Sequence, residues 1–202
     1  MVAGPNGSGK TTLTNQLRLS DVDFGRYINP DEIAKSLKGD YESRVQQAQR
    51  IADQQRADCI NEGTSFSFET VMSHPSKIDL LKAAKIRGFR VALYFVATES
   101  PELNVRRVRQ RVALGGHDVP EDRIRERYDR TLQLLPDAMA CADHVVLFDN
   151  SYGRPATIRP FFRVMGLGFW REDPIPDWAR PALETWHTLR ARRLEERSNG
   201  EN

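Results

Sequence analysis

Apolar residues gather into short runs separated by longer amphipathic stretches, and these two spacings predict strands alternating with helices. Phe89–Val96 is the clearest run, almost continuously apolar, as expected of a strand buried on both faces of a parallel sheet. His144–Phe148 repeats the pattern and stops at Asp149-Asn150, and Thr64–Glu69 reads as a third strand. Met1-Val2-Ala3 reads as the end of a fourth, entering a glycine-rich loop. Only three residues precede Gly4, fewer than the five or six of an ordinary strand. Either that strand is short or its beginning lies before Met1.

The stretches between read as helices. Thr11–Leu19 leaves the loop, and Asn29-Pro30 offers an N-cap followed by proline at the first helical position. Tyr41–Glu62 predicts a long polar helix with a weak apolar stripe of Val45, Ala48, Ala52 and Ile60. His74–Arg87 ends at Gly88, a C-cap glycine. Two arginine-rich helices flank Gly115-Gly116-His117, the second opening with Asp118-x-x-Glu121 as a capped start containing Pro120. Beyond Tyr152 the pattern weakens. Pro174–Asp177 reads as a loop and Trp178–Arg197 as a terminal helix, with Trp170, Trp178 and Trp186 as packing anchors. The alternation predicts an α/β fold, a parallel sheet with right-handed crossovers and helices on both faces. Ligands of such sheets collect at the carboxyl ends of the strands, where Gly4–Lys10, Glu69 and Asp149 would share one edge.

A chain of 202 residues suits one domain. The expected layout is a core over 1–151, with an arginine-rich lid around 103–131, and an extension over 152–202 packing on the same domain. Hydrophobic residues at 39% and charged residues at 29% suit a soluble enzyme with a real core. No apolar stretch nears the roughly 18 residues of a membrane span, and the start carries no basic-then-apolar leader. Cys59 and Cys141 are the only cysteines and lie far apart, so the expected location is a reducing cytoplasm. A net charge of +2 provides no global drive toward nucleic acid, although arginines crowd residues 106–130 and a second cluster, Arg190, Arg192, Arg193 and Arg197, lies near the C-terminus.

Gly4-Pro5-Asn6-Gly7-Ser8-Gly9-Lys10-Thr11 matches the Walker A pattern G-x-x-x-x-G-K-S/T at every fixed position. Glycines let backbone N–H groups approach phosphate oxygens with no Cβ in the way. Gly7, Ser8, Gly9, Lys10, Thr11 and Thr12 are therefore the candidate nucleotide site. Lys10 supplies a point charge at the β/γ-phosphates, the Thr11 hydroxyl a ligand for Mg²⁺, and the following helix its positive end. The plainer reading is a glycine-rich turn capping a helix, but a chance match in a chain this long is of order one in a hundred. ATP is the expected nucleotide and GTP the alternative, although the guanine-reading N-K-x-D is absent.

The spelling GPNGSGKTT is common in transporter-type ATPases. Those need a signature segment, a glutamine loop and a strand ending in Asp-Glu, and none is evident. Val145–Asp149 resembles a Walker B strand but leads to Asn150-Ser151. A small-molecule kinase fits best. Two alternatives stay open: a regulatory module that hydrolyses ATP without a small-molecule acceptor, and a polynucleotide 5′-kinase, which needs the arginine clusters to merge on one face.

Gly4–Thr12, Ile28-Asn29-Pro30-Asp31, Ser65-Phe66-Ser67-Phe68-Glu69-Thr70, Gly115-Gly116-His117-Asp118-Val119-Pro120 and Asp149-Asn150-Ser151 fall in the order seen in zeta-toxin-like P-loop kinases. The chain resembles that family over about residues 1–151. The resemblance implies an adenylate-kinase-like P-loop NTPase fold and transfer of a γ-phosphate from ATP, with Mg²⁺, to a hydroxyl group. For characterised zeta toxins the acceptor is a UDP-activated amino sugar, UDP-N-acetylglucosamine, modified on its 3′-hydroxyl, and an antitoxin protein restrains the enzyme. A UDP-sugar substrate and an antitoxin partner are thus expectations from resemblance.

The same resemblance makes Asp31 the carboxylate that orients the acceptor hydroxyl, with Glu32 as fallback; the plainer reading is two acids complementing a helix N-terminus. Glu69, at the ligand edge, is a candidate contact to a substrate hydroxyl, or to Mg²⁺ through water; the plainer reading pairs it with Thr70 as a helix cap. Phosphoryl transfer spreads negative charge that arginines neutralise. Arg111 and Arg127 are the chosen candidates from a set that includes Arg123 and Arg130. Glu121–Arg125 and Glu126–Arg130 pairs on a solvated helix are the plainer reading, worth about 0.3–0.5 kcal/mol each. Gly115-Gly116 permits a hinge or tight turn, and His117 is a turn histidine that could touch phosphate. Asp149-Asn150-Ser151 would begin the loop against the adenine base; the plainer reading is a cap at the C-terminal end of the strand.

Overall fold

The computed structural model describes residues 1–20, 22–116, 118–152, 158–166 and 168–200. The chain passes through β1 (Val2–Ala3), α1 (Lys10–Arg18), β2 (Arg26–Ile28), α2 (Pro30–Ser36) and α3 (Tyr41–Glu62). It continues through β3 (Phe66–Thr70), α4 (Ser76–Ile86), β4 (Ala92–Ala97), α5 (Pro101–Ala113), α6 (Glu121–Cys141) and β5 (His144–Asp149). Then come β6 (Pro160–Met165), β7 (Gly168–Arg171), a 3₁₀ turn at Asp177–Ala179 and α7 (Arg180–Gly200).

The strands form one sheet in the order β2-β3-β1-β4-β5-β6-β7. The first five are mutually parallel, as alternation with helices predicts, because a parallel pair needs a crossover. The last two are not. β6 runs antiparallel to β5, and β7 antiparallel to β6. The irregular stretch after Tyr152 therefore contains an antiparallel pair absent from the sequence expectation. β7 is exposed along its length and its alternation is correspondingly faint.

The apolar runs of β4 and β5 are explained by burial on both faces. Leu93, Phe95 and Ala97 with Val145 and Leu147 face one core, which α4, α6 and α7 cover. Val96, Val146 and Phe148 face the other, where Leu13 and Leu17 of α1 close over Val2. β1 is only two residues long, yet it pairs with β3 and β4 at once and both its residues are buried. Neighbours on both sides compensate for its length.

α3 occupies the predicted range, with Asp40 as N-cap and Gly63 as left-handed C-cap. Its buried stripe is Ala48, Ala52, Arg56, Cys59 and Ile60. Arg56 continues the i, i+4 spacing of the alanines and is 2% exposed, its guanidinium lying 5.0 Å from the Phe68 ring centroid and bonded to Asp53. The 3₁₀ turn buries Trp178 and Ala179, and α7 buries Ala182, Leu183 and Trp186, all in the larger core. Trp178 and Trp186 are the anchors expected of them; Trp170 is instead 47% exposed on β7, with the Arg163 guanidinium over its ring. The expected capping box at Asp118 does not form, since α6 begins after Pro120 with no side-chain cap bond. Proline's fixed φ starts that helix without one.

Candidate active site

Parallel strands bring their carboxyl ends to one edge. Gly4 follows β1, Asn29 follows β2, Thr70 ends β3, Thr98 follows β4 and Asn150 follows β5. A cleft of about 1060 Å³ opens there. Asn6, Gly7, Gly9, Lys10, Thr11 and Thr12 line its loop side, and Asp31, Glu69, Arg107, Arg111 and Arg127 line the walls. Ser8 lies beneath the loop, fully buried.

The loop needs its glycines. Gly9 sits at φ 102°, the left-handed region, immediately before α1. A Cβ there would stand 2.4 Å from Asn150 Nδ2, which donates to the Ser8 carbonyl at 2.8 Å. Asn150 thus ties the end of β5 to the loop. Gln16 strengthens the tie, donating to the Ile158 carbonyl at 2.8 Å and accepting from its N–H at 2.7 Å. The Lys10 ammonium folds back on the loop and donates to the Gly4 and Pro5 carbonyls, each at 2.9 Å. Burial lowers its pKa from 10.5 to about 8; Glu69 raises it, Arg111 lowers it and Asp31 raises it. Four of the sequence candidates, on four different elements, therefore lie within electrostatic reach of one another.

Asp31 is exposed in the first turn of α2. The Asn29 side chain caps that turn by accepting from the Asp31 N–H at 2.9 Å, and Pro30 stands at the first helical position as predicted. Since Asn29 does the capping, the Asp31 carboxylate is left to face the cleft. Glu32 does not line it.

Glu69 caps no helix. Its Oε2 accepts from the Thr11 hydroxyl at 3.2 Å and its Oε1 from the Tyr27 hydroxyl at 3.0 Å. Thr70 instead accepts from the Met72 N–H.

α5 and α6 form the arginine-rich wall. Glu121–Arg125 and Glu126–Arg130 ion pairs occur as expected, at 3.5 and 3.2 Å. The inner face of α6 is pinned to the sheet edge, Tyr128 donating to the Thr98 carbonyl at 2.6 Å and Thr131 to the Val71 carbonyl at 2.9 Å. That contact turns Arg127 into the cleft and leaves Arg123 exposed outside it. Arg111 reaches the cleft from the last turn of α5. Gly115, at φ 86°, ends that helix, and the next N–H donates to the Arg111 carbonyl at 2.9 Å. The glycine pair thus makes the tight turn of the two readings offered; His117 lies outside the described residues.

Arg107 was missed in sequence. It lies one turn before Arg111 and lines the cleft, and its Nη1 is buried without a hydrogen-bond partner. Burial lowers its pKa, against the opposing pull of Asp149. The i, i+4 spacing of Arg107 and Arg111 was the available signal. Tyr27 and Arg56 carried no motif. Asp149 turns away from the cleft to accept from Trp178 Nε1 at 2.9 Å and Ser151 Oγ at 2.6 Å.

A phosphate loop opening a crossover helix, at the carboxyl edge of a parallel sheet beside a helical arginine wall, defines a P-loop kinase fold. The chain belongs to the zeta toxin family, whose model matches residues 1–152. An uncharacterised protein of Haemophilus influenzae is 33% identical over 135 residues, covering 62% of this chain and 88% of that protein. The structure from the PezAT chromosomal toxin-antitoxin system of Streptococcus pneumoniae superposes with a TM-score of 0.56 at 15% identity, covering 96% of this chain and 86% of that one. The AvrRxo1-ORF1:AvrRxo1-ORF2 structure gives 0.58 at 16% identity, covering 86% of this chain and 60% of that one. These two likenesses concern the fold. Family membership assigns a kinase-type activity and use of a nucleotide. Among the described residues no helix is long and apolar enough to cross a membrane.

Proposed function

We propose that the protein transfers the γ-phosphate of ATP to a hydroxyl of a small molecule, with a UDP-activated amino sugar as the acceptor class. The observation that carries this reading is the convergence of Lys10, Asp31, Glu69 and Arg111 on one cleft. A simple hydrolase has no need of the space beyond them, which Tyr41, Gln49, Arg56, His74 and Lys77 line away from the loop.

The loop fits a triphosphate, because Gly9 leaves open the space a Cβ would fill and Lys10 has only backbone carbonyls to give up. Thr11 is the residue to hold Mg²⁺, its lone pairs remaining available while its proton goes to Glu69. Held there, Mg²⁺ would neutralise part of the charge on the phosphates. Asp31 accepts the proton of the acceptor hydroxyl as the new oxygen–phosphorus bond forms and the β,γ-bridging bond breaks, releasing ADP. Lys10, Arg107, Arg111 and Arg127 stabilise the charge on the transferring group. Glu69 acts on the metal side through Thr11 and, lining the cleft, is also the proposed contact to a substrate hydroxyl. GTP would enter the same loop. An antitoxin is the proposed partner, in keeping with the toxin-antitoxin system of the pneumococcal neighbour.

Labelled ATP offered with UDP-sugars, nucleosides and short oligonucleotides tests the proposal, with Lys10→Ala and Asp31→Asn beside the wild type. A labelled UDP-sugar lost in both variants is the expected outcome. Slow ATP loss with no labelled acceptor points to the hydrolysing regulatory module, and a labelled oligonucleotide to a polynucleotide kinase.

A further inference from the structure

The short strand β2 presents its residues to opposite sides of the sheet. Ile28 is buried toward α3, with Ala52, Cys59 and Phe68. Tyr27 therefore points to the other side, toward α1. There its ring stacks beneath the Arg18 guanidinium, 4.3 Å from the centroid, and meets Phe24 edge-on at 6.1 Å. Its hydroxyl donates to Glu69 Oε1 at 3.0 Å, while the other oxygen of that carboxylate takes the Thr11 proton.

Chained, these contacts run from Arg18 in the last turn of α1, through Tyr27 and Glu69, back to Thr11 in its first turn. We propose that Tyr27 is a positioning residue for the metal–nucleotide complex: by holding Glu69 it fixes the direction of the Thr11 proton and so leaves the Thr11 lone pairs facing the metal. The inference deepens the kinase reading and rests on its loop and metal, though not on the identity of the acceptor.

The chemistry favours a phenol in this place. A carboxylate with one oxygen unrestrained would swing toward the Lys10 ammonium, which feels Glu69 as the strongest of its neighbouring charges. A second cation at Oε1 would neutralise the carboxylate and weaken its hold on Thr11. Tyr27 donates one neutral hydrogen bond and leaves the charge in place. Burial and the Glu69 charge raise its pKa, so it remains a donor throughout the physiological range. The charged groups facing Tyr27 are Glu69 on β3, Arg18 on α1 and Glu32 on α2. Partners behind a metal ligand set its geometry, and their loss typically weakens metal binding about 10- to 100-fold.

Tyr27→Phe keeps the ring under Arg18 and removes only the hydroxyl. The experiment measures binding of the β,γ-imido analogue of ATP with Mg²⁺ and, separately, with a chelator. The expected result is an apparent Mg²⁺ dissociation constant raised about tenfold, with metal-free binding of the analogue changed by no more than about twofold. In a Glu69→Gln background the same substitution should add almost nothing, since the two residues act as one unit. Unchanged Mg²⁺ affinity overturns the proposal. So does an equal loss with and without the metal, which marks a packing role. Additive effects in the double variant overturn it too. Because the readout is binding, failure to phosphorylate any acceptor would count against the proposed function while leaving this test intact.

Discussion

The Thr11 hydroxyl donates to Glu69 Oε2 across 3.2 Å, joining the first turn of α1 to the end of β3 across 58 positions of sequence. β1 and β3 are paired in parallel with Val2 opposite Glu69, so the loop after one strand opens beside the last residues of the other. Register alone delivers the carboxylate to the mouth of the phosphate loop.

In the proposed reaction Asp31 handles the acceptor proton and touches neither the loop nor the nucleotide. Asp31→Asn should lower kcat by roughly 10²–10⁴-fold while ATP binding, followed by calorimetry, stays within about twofold of wild type. Parallel loss of both would place Asp31 in nucleotide binding instead.

Lys10 has its pKa lowered to about 8 by burial, and the triphosphate favours the charged ammonium. Below that pH the residue is already protonated and binding takes up no proton. Above it, binding must draw one from solution, so ATP affinity should fall by up to about tenfold per pH unit. Calorimetry in two buffers of different ionisation enthalpy reads the uptake directly. Lys10→Met should bind ATP weakly and lose this pH dependence; a slope that survives the substitution belongs to another group.

Arg107, Arg111 and Arg127 line the cleft, whereas Arg123 stands outside it on the same arginine-rich wall. Replacement of any of the three by alanine should reduce kcat about 10²-fold or more. Arg123→Ala should leave it near wild type. A general electrostatic role for the arginine-rich wall predicts four similar losses, so the kinetic contrast decides between the two.

Trp178 Nε1 is the donor that holds Asp149 at the end of β5, and its ring packs against Phe95 and Phe161. Trp178→Phe leaves most of the ring contact but deprives a half-buried carboxylate of a partner. Urea unfolding should show a loss of about 1–3 kcal/mol with an unchanged slope. No loss would mean that the Ser151 hydroxyl and solvent satisfy Asp149 alone.

The predicted strands and helices of the core correspond to elements in the structure, with ends shifted by a few residues. The reason is plain in β4 and β5, whose apolar runs are long because both faces are covered. Asn29 and Pro30 marked the start of α2 through local chemistry, and Gly88 the end of α4. The tail failed for the opposite reason. β7 is exposed on both sides, so its pattern carries no burial signal, and its pairing is set by β6 rather than by its own residues.

The phosphate loop could be read from the chain because its chemistry is local: eight consecutive residues carry the glycines, the lysine and the threonine. The arginine-rich stretch was legible as a set, since composition needs no tertiary contacts. Which arginine of α6 enters the cleft was decided only by Tyr128 and Thr131 bonding to the carbonyls of Thr98 and Val71. The partners of Glu69, the burial of Arg56 in an otherwise small-residue stripe and the turning away of Asp149 were likewise invisible. Each depends on an encounter across the sheet, and a sequence records what a residue can donate or accept, while the fold alone determines which partner it meets.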